Sequence, residues 1–519
     1  MNGAQSLLQA LRRAGVEVCF ANPGTSEMHF VAALDAVPGL RSVLGLAEGV
    51  VTGAADGYGR MTDKPACTLL HLGPGLANGL SNLHNARRAQ SPIVNIVGDH
   101  ATYHRQLDAP LTSDIEGAAR PFCDWVRTAA SADALAGDAL AAVAASLSPP
   151  GQVATLILPA NAAWDTVRND QPPRTSEIAP LAAERPPDAS IEAAVRIMKS
   201  GEPTALILGG RATRESALWV LGKIAKATGA KLFAQTFNSR ISRGAGRVPV
   251  ERIPYAVDQA LAALRPYRNI ILIGAKAPVA FFAYPNKPSR LWPPGVRIHE
   301  LVRVDGDIAY TLSALADAVG AASTVPEVAR LDLPTPPSGD LTPDNLSPLI
   351  AAMLPANAIV IDESITTGRT FMAATETAHP HEWILPTGGS IGFGLPVAVG
   401  AAIACPDRKV IALESDGSGL YMPQALWSMA RESLDVLTIV FANRKYQILR
   451  MEMKNVGVAQ VGPQASALLD LDRPAVDWVG LAKGFGVDAY RAGTMEELAR
   501  QVEVGLHMKG PCLIEAVLA

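Results

Sequence analysis

The sequence predicts an α/β chain of three domains, each built on a largely parallel sheet with helices on its faces. Three observations carry that expectation. Short apolar runs of strand length, bounded by glycine or proline, alternate with stretches of helical periodicity along the chain. Two segments dense in proline and charge, 169–188 (NDQPPRTSEIAPLAAERPPD) and 325–343 (VPEVARLDLPTPPSGDLTP), lack hydrophobic periodicity and read as linkers. At 519 residues the chain exceeds what one core usually serves, so two or three domains of roughly 150–180 residues are expected.

The elements follow in order. In the first domain, 1–165, an amphipathic stretch over 4–14 precedes VEVCFA, then ACTLLHL, PIVNIVGD and VATLILP, all of strand type. The second, 190–325, repeats the style with TALILGG, a helix over 216–228, AKLFAQ and NIILIGA. The third, 343–519, carries AIVIDES, KVIALESDG and LTIVFAN. Gly-rich turns precede a helix in both outer domains, GPGLANGLSNL from Gly73 and GGSIGFGLPVAVGAA from Gly388.

Composition narrows the function class. A formal net charge of −4 without a long Lys/Arg run leaves no footprint for nucleic acid or an anionic membrane surface, so a small substrate is expected. Cys19, Cys67, Cys123, Cys405 and Cys512 are odd in number and scattered without a CxxC pair, which reads as reduced, mostly buried thiols of a cytoplasmic protein. No secretory leader and no apolar run of about 18–20 residues is present, so neither export nor a membrane span is expected.

One acid stands out in LAEGVVTGAADGYGR (46–60): Glu48 sits among small and apolar residues and calls for a partner. Read blandly, it is a helix N-terminal acid favoured by the macrodipole. The segment ESDGSGLYMPQALWSMARESLDVLTIVFANRKY (414–446) is more informative. An apolar strand ends at Asp416-Gly417-Ser418, a helix follows, and a second strand delivers Asn443. Neighbouring parallel strands would put Asp416 and Asn443 side by side at their carboxyl ends, where open α/β sheets bind ligands. A carboxylate, an amide carbonyl and the backbone carbonyl near Lys445 are hard oxygens that suit Mg²⁺ shared with a diphosphate. Gly417 and Ser418, opening the next helix, offer donors to that diphosphate. The bland alternative is a solvated turn with Asp416 as helix N-cap.

The DGS…N pattern, with NPGTSE at 22–27, AEGVVTGAADGYGR from Ala47, GPG from Gly73, GGSIGFGLPVAVGAA from Gly388 and FANRKY from Phe441, resembles the thiamine diphosphate-dependent family that includes acetolactate synthase, benzoylformate decarboxylase and pyruvate decarboxylase. The resemblance covers essentially the whole chain. It implies three Rossmann-like domains, namely pyrimidine-binding, central and diphosphate-binding. Two departures are visible: Ser415-Asp416-Gly417 replaces the usual GDG, and Ala442-Asn443 the usual pair of asparagines.

The resemblance also implies roles. Glu48 would protonate N1′ of the aminopyrimidine of a cofactor bound by a neighbouring subunit, so a homodimer or homotetramer with sites at the subunit interface is expected. Ile391 would prop the cofactor into its folded shape, the Gly389 carbonyl would accept from its 4′-amino group, and Thr366, Gly417, Ser418 and Tyr446 would bind the rest. Asp416, Asn443 and Lys445 would hold Mg²⁺. The reaction implied is non-oxidative decarboxylation of a 2-oxo acid, ending in an aldehyde or in carboligation to a 2-hydroxy-ketone or acetohydroxy acid. The alternative is a catalytically silent homologue that binds the cofactor in a regulatory or assembly role.

Pocket residues divide the subfamilies. Thr25 and His71 fall where benzoylformate decarboxylase has a serine that touches substrate carboxylate and a catalytic histidine; read blandly, His71 is a strand-end histidine satisfied by backbone groups. AKAPVAFFAYPN has no histidine where that enzyme carries its second one. Glu452 stands where the relatives have an aromatic residue; it either repels anions and selects polar or cationic substrates, or pairs with Lys454 or Arg450 on a solvated helix face. LILGGRATRE offers a glycine turn and Arg211 that leave room for FAD without predicting it.

Overall fold

The computed structural model describes residues 1–168 and 179–519; the first ten residues of the first expected linker lie outside the described residues. Three sheets organise the chain. The first has six parallel strands in the order Arg41–Leu44, Val18–Asn22, Ala66–Leu70, Ile93–Asp99, Val153–Pro159, Trp125–Thr128. The second has five, with Thr204–Leu208 at its centre beside Asn269–Ile273. The third has seven, with Ala358–Glu363, Val410–Ser415 and Val436–Ala442 as inner strands. The expected α/β class with three parallel sheets holds. Inner strands such as Ile93–Asp99 and Ala358–Glu363 are buried throughout, as continuous apolar runs covered on both faces should be.

One strand departs from the parallel pattern. Ile241–Arg243, from the segment expected to be the second domain, pairs antiparallel with His381–Ile384 and closes the edge of the third sheet. Residues 325–341 run without helix or strand, as a linker should.

Two helices fix the relation between the outer sheets. Glu48–Thr62 crosses Gly394–Ala404 at small residues, so closely that a Cβ on Gly53 would lie 2.4 Å from Cβ of Pro396 and one on Gly400 1.8 Å from the Ala54 carbonyl oxygen. Next to this crossing a buried ion pair joins Asp56 to Arg60 at 2.6 Å, and Arg60 donates onward to the Leu385 carbonyl at 2.8 Å. Gly53, Ala54 and Gly57 of this helix therefore meet Gly394–Ala404 of the same chain. All five cysteines are free thiols, four of them buried. Among the described residues no helix is long and apolar enough to cross a membrane.

Candidate active site

The first sheet supplies an acid–base cluster. Val18–Asn22 and Ala66–Leu70 are neighbours with Asn22 opposite Leu70, so the turns that follow them, 23–27 and 71–72, meet at the carboxyl ends of the strands. There His71 Nδ1 lies 2.8 Å from Oε2 of Glu27, whose side chain is fully buried. Glu27 also accepts from Ser26 Oγ at 2.5 Å and from the Gly24 N–H at 2.8 Å. Its three donors tie the carboxylate down, and the carboxylate in turn selects the His71 tautomer with Nδ1–H, leaving Nε2 free for other partners. Gly24 is required by close approach: a Cβ there would sit 2.2 Å from the His71 ring. Thr25 and His71 line one cleft of about 290 Å³, and the side-chain partner of His71 is a carboxylate rather than a backbone group.

Glu48 opens its helix half-buried, with Asn78 Nδ2 donating to its Oε2 at 3.2 Å. A Cβ on Gly75 would lie 3.1 Å from Glu48 Oε1 and 3.3 Å from Cβ of His71, so the two predicted catalytic residues flank the same glycine.

The loop 388–392, which carries Gly389 and Ile391, is held from two sides. Asn85 Nδ2 donates to the Ser390 carbonyl at 2.8 Å, and Asn82 Nδ2 spans the carbonyls of Gly49 at 2.8 Å and Gly392 at 3.2 Å. Beneath it, Glu363 accepts the N–H groups of Gly392, Phe393 and Gly394 at 3.1, 2.9 and 2.6 Å, capping the helix that follows. Glu414 lies against Glu363 under Gly394 and accepts from Ser418 Oγ and the Ser415 N–H. Burial pushes both carboxyls up, Glu363 to about 8 with the Asp362 charge adding to the effect, while the Glu363 charge raises Glu414 further. This carboxyl pair joins the loop bearing Gly389 and Ile391 to the turn bearing Gly417 and Ser418. Gly389 has φ +73° and is overlaid by Phe281, into which a Cβ would run at 2.5 Å.

The segments that carry the expected metal donors are neighbours in the third sheet. Ser415 pairs with Phe441, which brings Asp416 beside the end of the strand that delivers Asn443. Asp416 is buried and accepts the Arg444 N–H at 2.5 Å; burial pushes its carboxyl up to about 6 against that hydrogen bond and the one from Gly417. Asn443 Oδ1 accepts the Lys445 N–H at 3.0 Å. The Tyr446 ring covers Gly417, where a Cβ would meet it at 2.5 Å. A buried carboxylate disfavoured as an anion, an amide oxygen at the end of the neighbouring strand and a Gly-Ser turn between them are donor types that suit a magnesium diphosphate; residues 416, 443 and 445 would hold the ion and 417, 418 and 366 the phosphates. Strained backbone marks the same places: Leu72, Ile365 and Arg444 have φ of +49°, +50° and +56°, next to His71, Thr366 and Asn443.

Glu452 takes neither Lys454 nor Arg450 as an ion-pair partner. Its Oε1 accepts from the Tyr255 hydroxyl at 3.4 Å and Asn455 Nδ2 at 3.3 Å, while Arg450 pairs with Asp470. Tyr255 and Phe282 pack on Phe281, at 5.7 and 4.8 Å between ring centroids, and Phe281 covers Gly389. Sequence reasoning missed Glu27, Glu363, Glu414 and the asparagines of the helix Leu72–Ala89. Glu27, Glu363 and Glu414 stand in the segments NPGTSE, AIVIDES and ALESDG, as acids at or just after a strand end.

The description "Thiamine pyrophosphate enzyme, N-terminal TPP binding domain" matches residues 1–118, and the corresponding C-terminal TPP binding domain matches 366–516. The chain is 50% identical over all of its length, and 99% of the relative's, to a Mycobacterium tuberculosis protein named "Putative acetolactate synthase large subunit IlvX". The chain belongs to the thiamine diphosphate-dependent enzyme family. This thiamine diphosphate enzyme is also 31% identical to a Pseudomonas aeruginosa benzoylformate decarboxylase, over 98% of its own chain and 97% of that one. The solved structure of a Rhodococcus jostii thiamine diphosphate-dependent 4-hydroxybenzoylformate decarboxylase superimposes with a TM-score of 0.86 at 25% identity, covering 100% of this chain and 99% of that one. It is thus a thiamine diphosphate-dependent enzyme related to acetolactate synthase and to benzoylformate decarboxylase.

Proposed function

We propose that this enzyme is a Mg²⁺-dependent, non-oxidative decarboxylase of 2-oxo acids with an apolar or aromatic side chain. The observation that carries the reading is the Glu27–His71 dyad, fixed beside Glu48 and open to a cleft that Thr25 also lines. When bound, thiamine diphosphate supplies an acidic carbon nucleophile and an electron sink for loss of CO₂. The chain's own residues do the rest. Glu48 holds a proton at N1′ of the aminopyrimidine, the Gly389 carbonyl accepts from the 4′-amino group, and Ile391 supports the folded cofactor. Thr25 contacts the substrate carboxylate, and His71, kept in one tautomer by Glu27, moves a proton at the keto oxygen. The rings of Phe237, Tyr255, Phe281 and Phe282 form an apolar wall over Gly389, which suits an aromatic side chain and matches the aryl substrates named in two relatives.

Glu48, Gly389 and Ile391 are half-buried or exposed in one chain, and Leu46 beside them is 44% exposed. A second copy that covers this surface would bring its own cofactor to Glu48, so the active unit is at least a dimer. Carboligation is the second reading, favoured by the acetolactate synthase name of the relative at 50% identity. An intact dyad argues against a silent homologue, and no step calls for FAD.

The test is reconstitution with thiamine diphosphate and Mg²⁺, followed by incubation with pyruvate, benzoylformate and longer 2-oxo acids. Aldehyde from benzoylformate is expected, and hydroxy-ketone or acetohydroxy acid products would favour the second reading. Absence of CO₂ release from every acid would sink both. Glu48→Gln should keep cofactor binding and lose proton exchange at the reactive carbon.

A further inference from the structure

A second cavity of about 290 Å³ lies where the central segment meets the third sheet, and arginines from both line it: Arg243 and Arg252 from the one, Arg369 from the other. The edge strand Ile241–Arg243 brings them together. It pairs with His381–Ile384, and Arg243 at its end donates from Nη2 to the Met372 carbonyl at 2.6 Å and from Nη1 to the Val250 carbonyl at 3.2 Å. Arg252 ends the short strand Glu251–Arg252, opposite Ala234 at the edge of the second sheet. None of the lining residues belongs to the cleft of Thr25 and His71 or to the glycine turn 209–211. We infer that this cavity binds a small, doubly charged oxyanion, a phosphate group or a dicarboxylate, held by Arg252 and Arg369.

Three features support it. First, cations outnumber anions in the lining. Arg243, Arg252 and Arg369 face only Glu251 and Glu376, and Glu251 is ion-paired to Lys231, which is not part of the lining. Second, two of the guanidinium groups are unclaimed. Among the described residues the side chains of Arg252 and Arg369 have no hydrogen bond and no ion pair; Arg369 has the ring of Tyr255, 5.9 Å from its centroid. Asp362, whose charge reaches Arg252, is already engaged, accepting from the Ser364 N–H at 3.1 Å and from Trp383 Nε1 at 3.2 Å. Third, the cations are desolvated and crowd one another. Burial pushes Arg252 down, opposed by Asp362 and reinforced by the charge of Arg369. Burial likewise pushes Arg243 down to about 10, opposed by Glu376 and reinforced by Arg252. An anion between them relieves that repulsion, and the planar forks of two arginines match the oxygens of a phosphate or of paired carboxylates. Val250, Met372 and Tyr255 give the lining an apolar side with room for the carbon skeleton of an organic anion. Tyr255 also packs on Phe281, so the cavity adjoins the wall over Gly389 without being part of the catalytic cleft.

The experiment titrates inorganic phosphate, and in a parallel arm succinate, into holoenzyme saturated with thiamine diphosphate and Mg²⁺, and reads the heat of binding. Saturation keeps the probe out of the cofactor's own diphosphate site. The parent should bind one equivalent of at least one probe per chain with a Kd of about 1 mM or below. The arm that binds tells phosphate from dicarboxylate. Arg252→Met and Arg369→Met should each weaken that binding about 10-fold or more, whereas Arg196→Met, on the exposed helix Asp188–Met198, should bind as the parent does. Arg369 is exposed, so Arg369→Met carries the test alone where Arg252→Met does not fold. Binding of neither probe would overturn the inference. Equal binding by parent and both variants, an adventitious ion only, would overturn it too. Loss of thiamine diphosphate affinity in both variants would assign the arginines to the cofactor's diphosphate and likewise overturn it. No turnover enters the measurement, so it stands or falls separately from the decarboxylase reading.

Discussion

The Nδ1 of His71 lies 2.8 Å from Oε2 of Glu27, a carboxylate whose side chain is wholly removed from solvent. This contact joins residues 44 positions apart and turns a strand-end histidine into an oriented acid–base group.

Glu27→Gln keeps the size and most hydrogen bonds of the side chain but loses its selection of the His71 tautomer. Turnover should fall about 10–100-fold, the range seen when a partner that orients a functional histidine is removed. Cofactor affinity, measured by fluorescence titration, should stay unchanged. A parallel loss of affinity would place Glu27 in cofactor binding instead.

The Asp56–Arg60 pair ties the helix that carries Glu48 to the segment before Gly388, since Arg60 also donates to the carbonyls of Leu385 and Ser239. Asp56→Ala leaves a buried guanidinium without its counterion and should cost about 3–5 kcal/mol. Thermal unfolding should show a midpoint lowered by roughly 10 °C. Adding Arg60→Leu should recover part of the loss, because the double variant buries no uncompensated charge.

His381 sets part of the acid limit of stability. Burial pushes its imidazole down to about 4, opposed by a hydrogen bond to the His379 carbonyl at 2.7 Å. Between the ordinary histidine value and 4 the unfolded chain binds a proton that the folded chain refuses. This contribution is whole above about 6.5 and is lost as the pH falls towards 4, to the extent of about 3 kcal/mol. Urea unfolding at pH 7.5 and 4.5 should show a steeper acid loss for the parent than for His381→Gln.

Much of this was legible in the sequence. The inner strands are continuous apolar runs with punctuated ends, and the DGS turn and Asn443 sit at the carboxyl ends of two such runs, so their meeting follows from parallel pairing alone. The Glu27–His71 and Glu363–Glu414 contacts were not legible, because each depends on which strands are neighbours and on side-chain direction. The edge strand Ile241–Arg243, three residues long and antiparallel, carries too short a pattern to read. The Tyr255 partner of Glu452 was missed because it comes from the central segment, far along the chain.

Asp416 gives the sharpest test of the metal site. Its carboxyl is raised by burial from an ordinary 3.8 to about 6, so at neutral pH the protein without cofactor holds an ionised group that its surroundings disfavour. The penalty is absent below about 3.8, grows as the pH rises, and is complete above about 6. Asp416→Asn removes that charge and retains an oxygen for the Arg444 N–H, so the cofactor-free variant should be more stable than the parent at pH 7.5, by up to about 3 kcal/mol. At pH 4 the difference should largely vanish. With Mg²⁺ and thiamine diphosphate the order should reverse: the parent gains the binding free energy of the metal diphosphate, and the variant, lacking the carboxylate ligand, gains little. Unfolding of both proteins at the two pH values, with and without Mg²⁺ and cofactor, measures all of these. A parent that gains no stability from the metal diphosphate would remove Asp416 from the site.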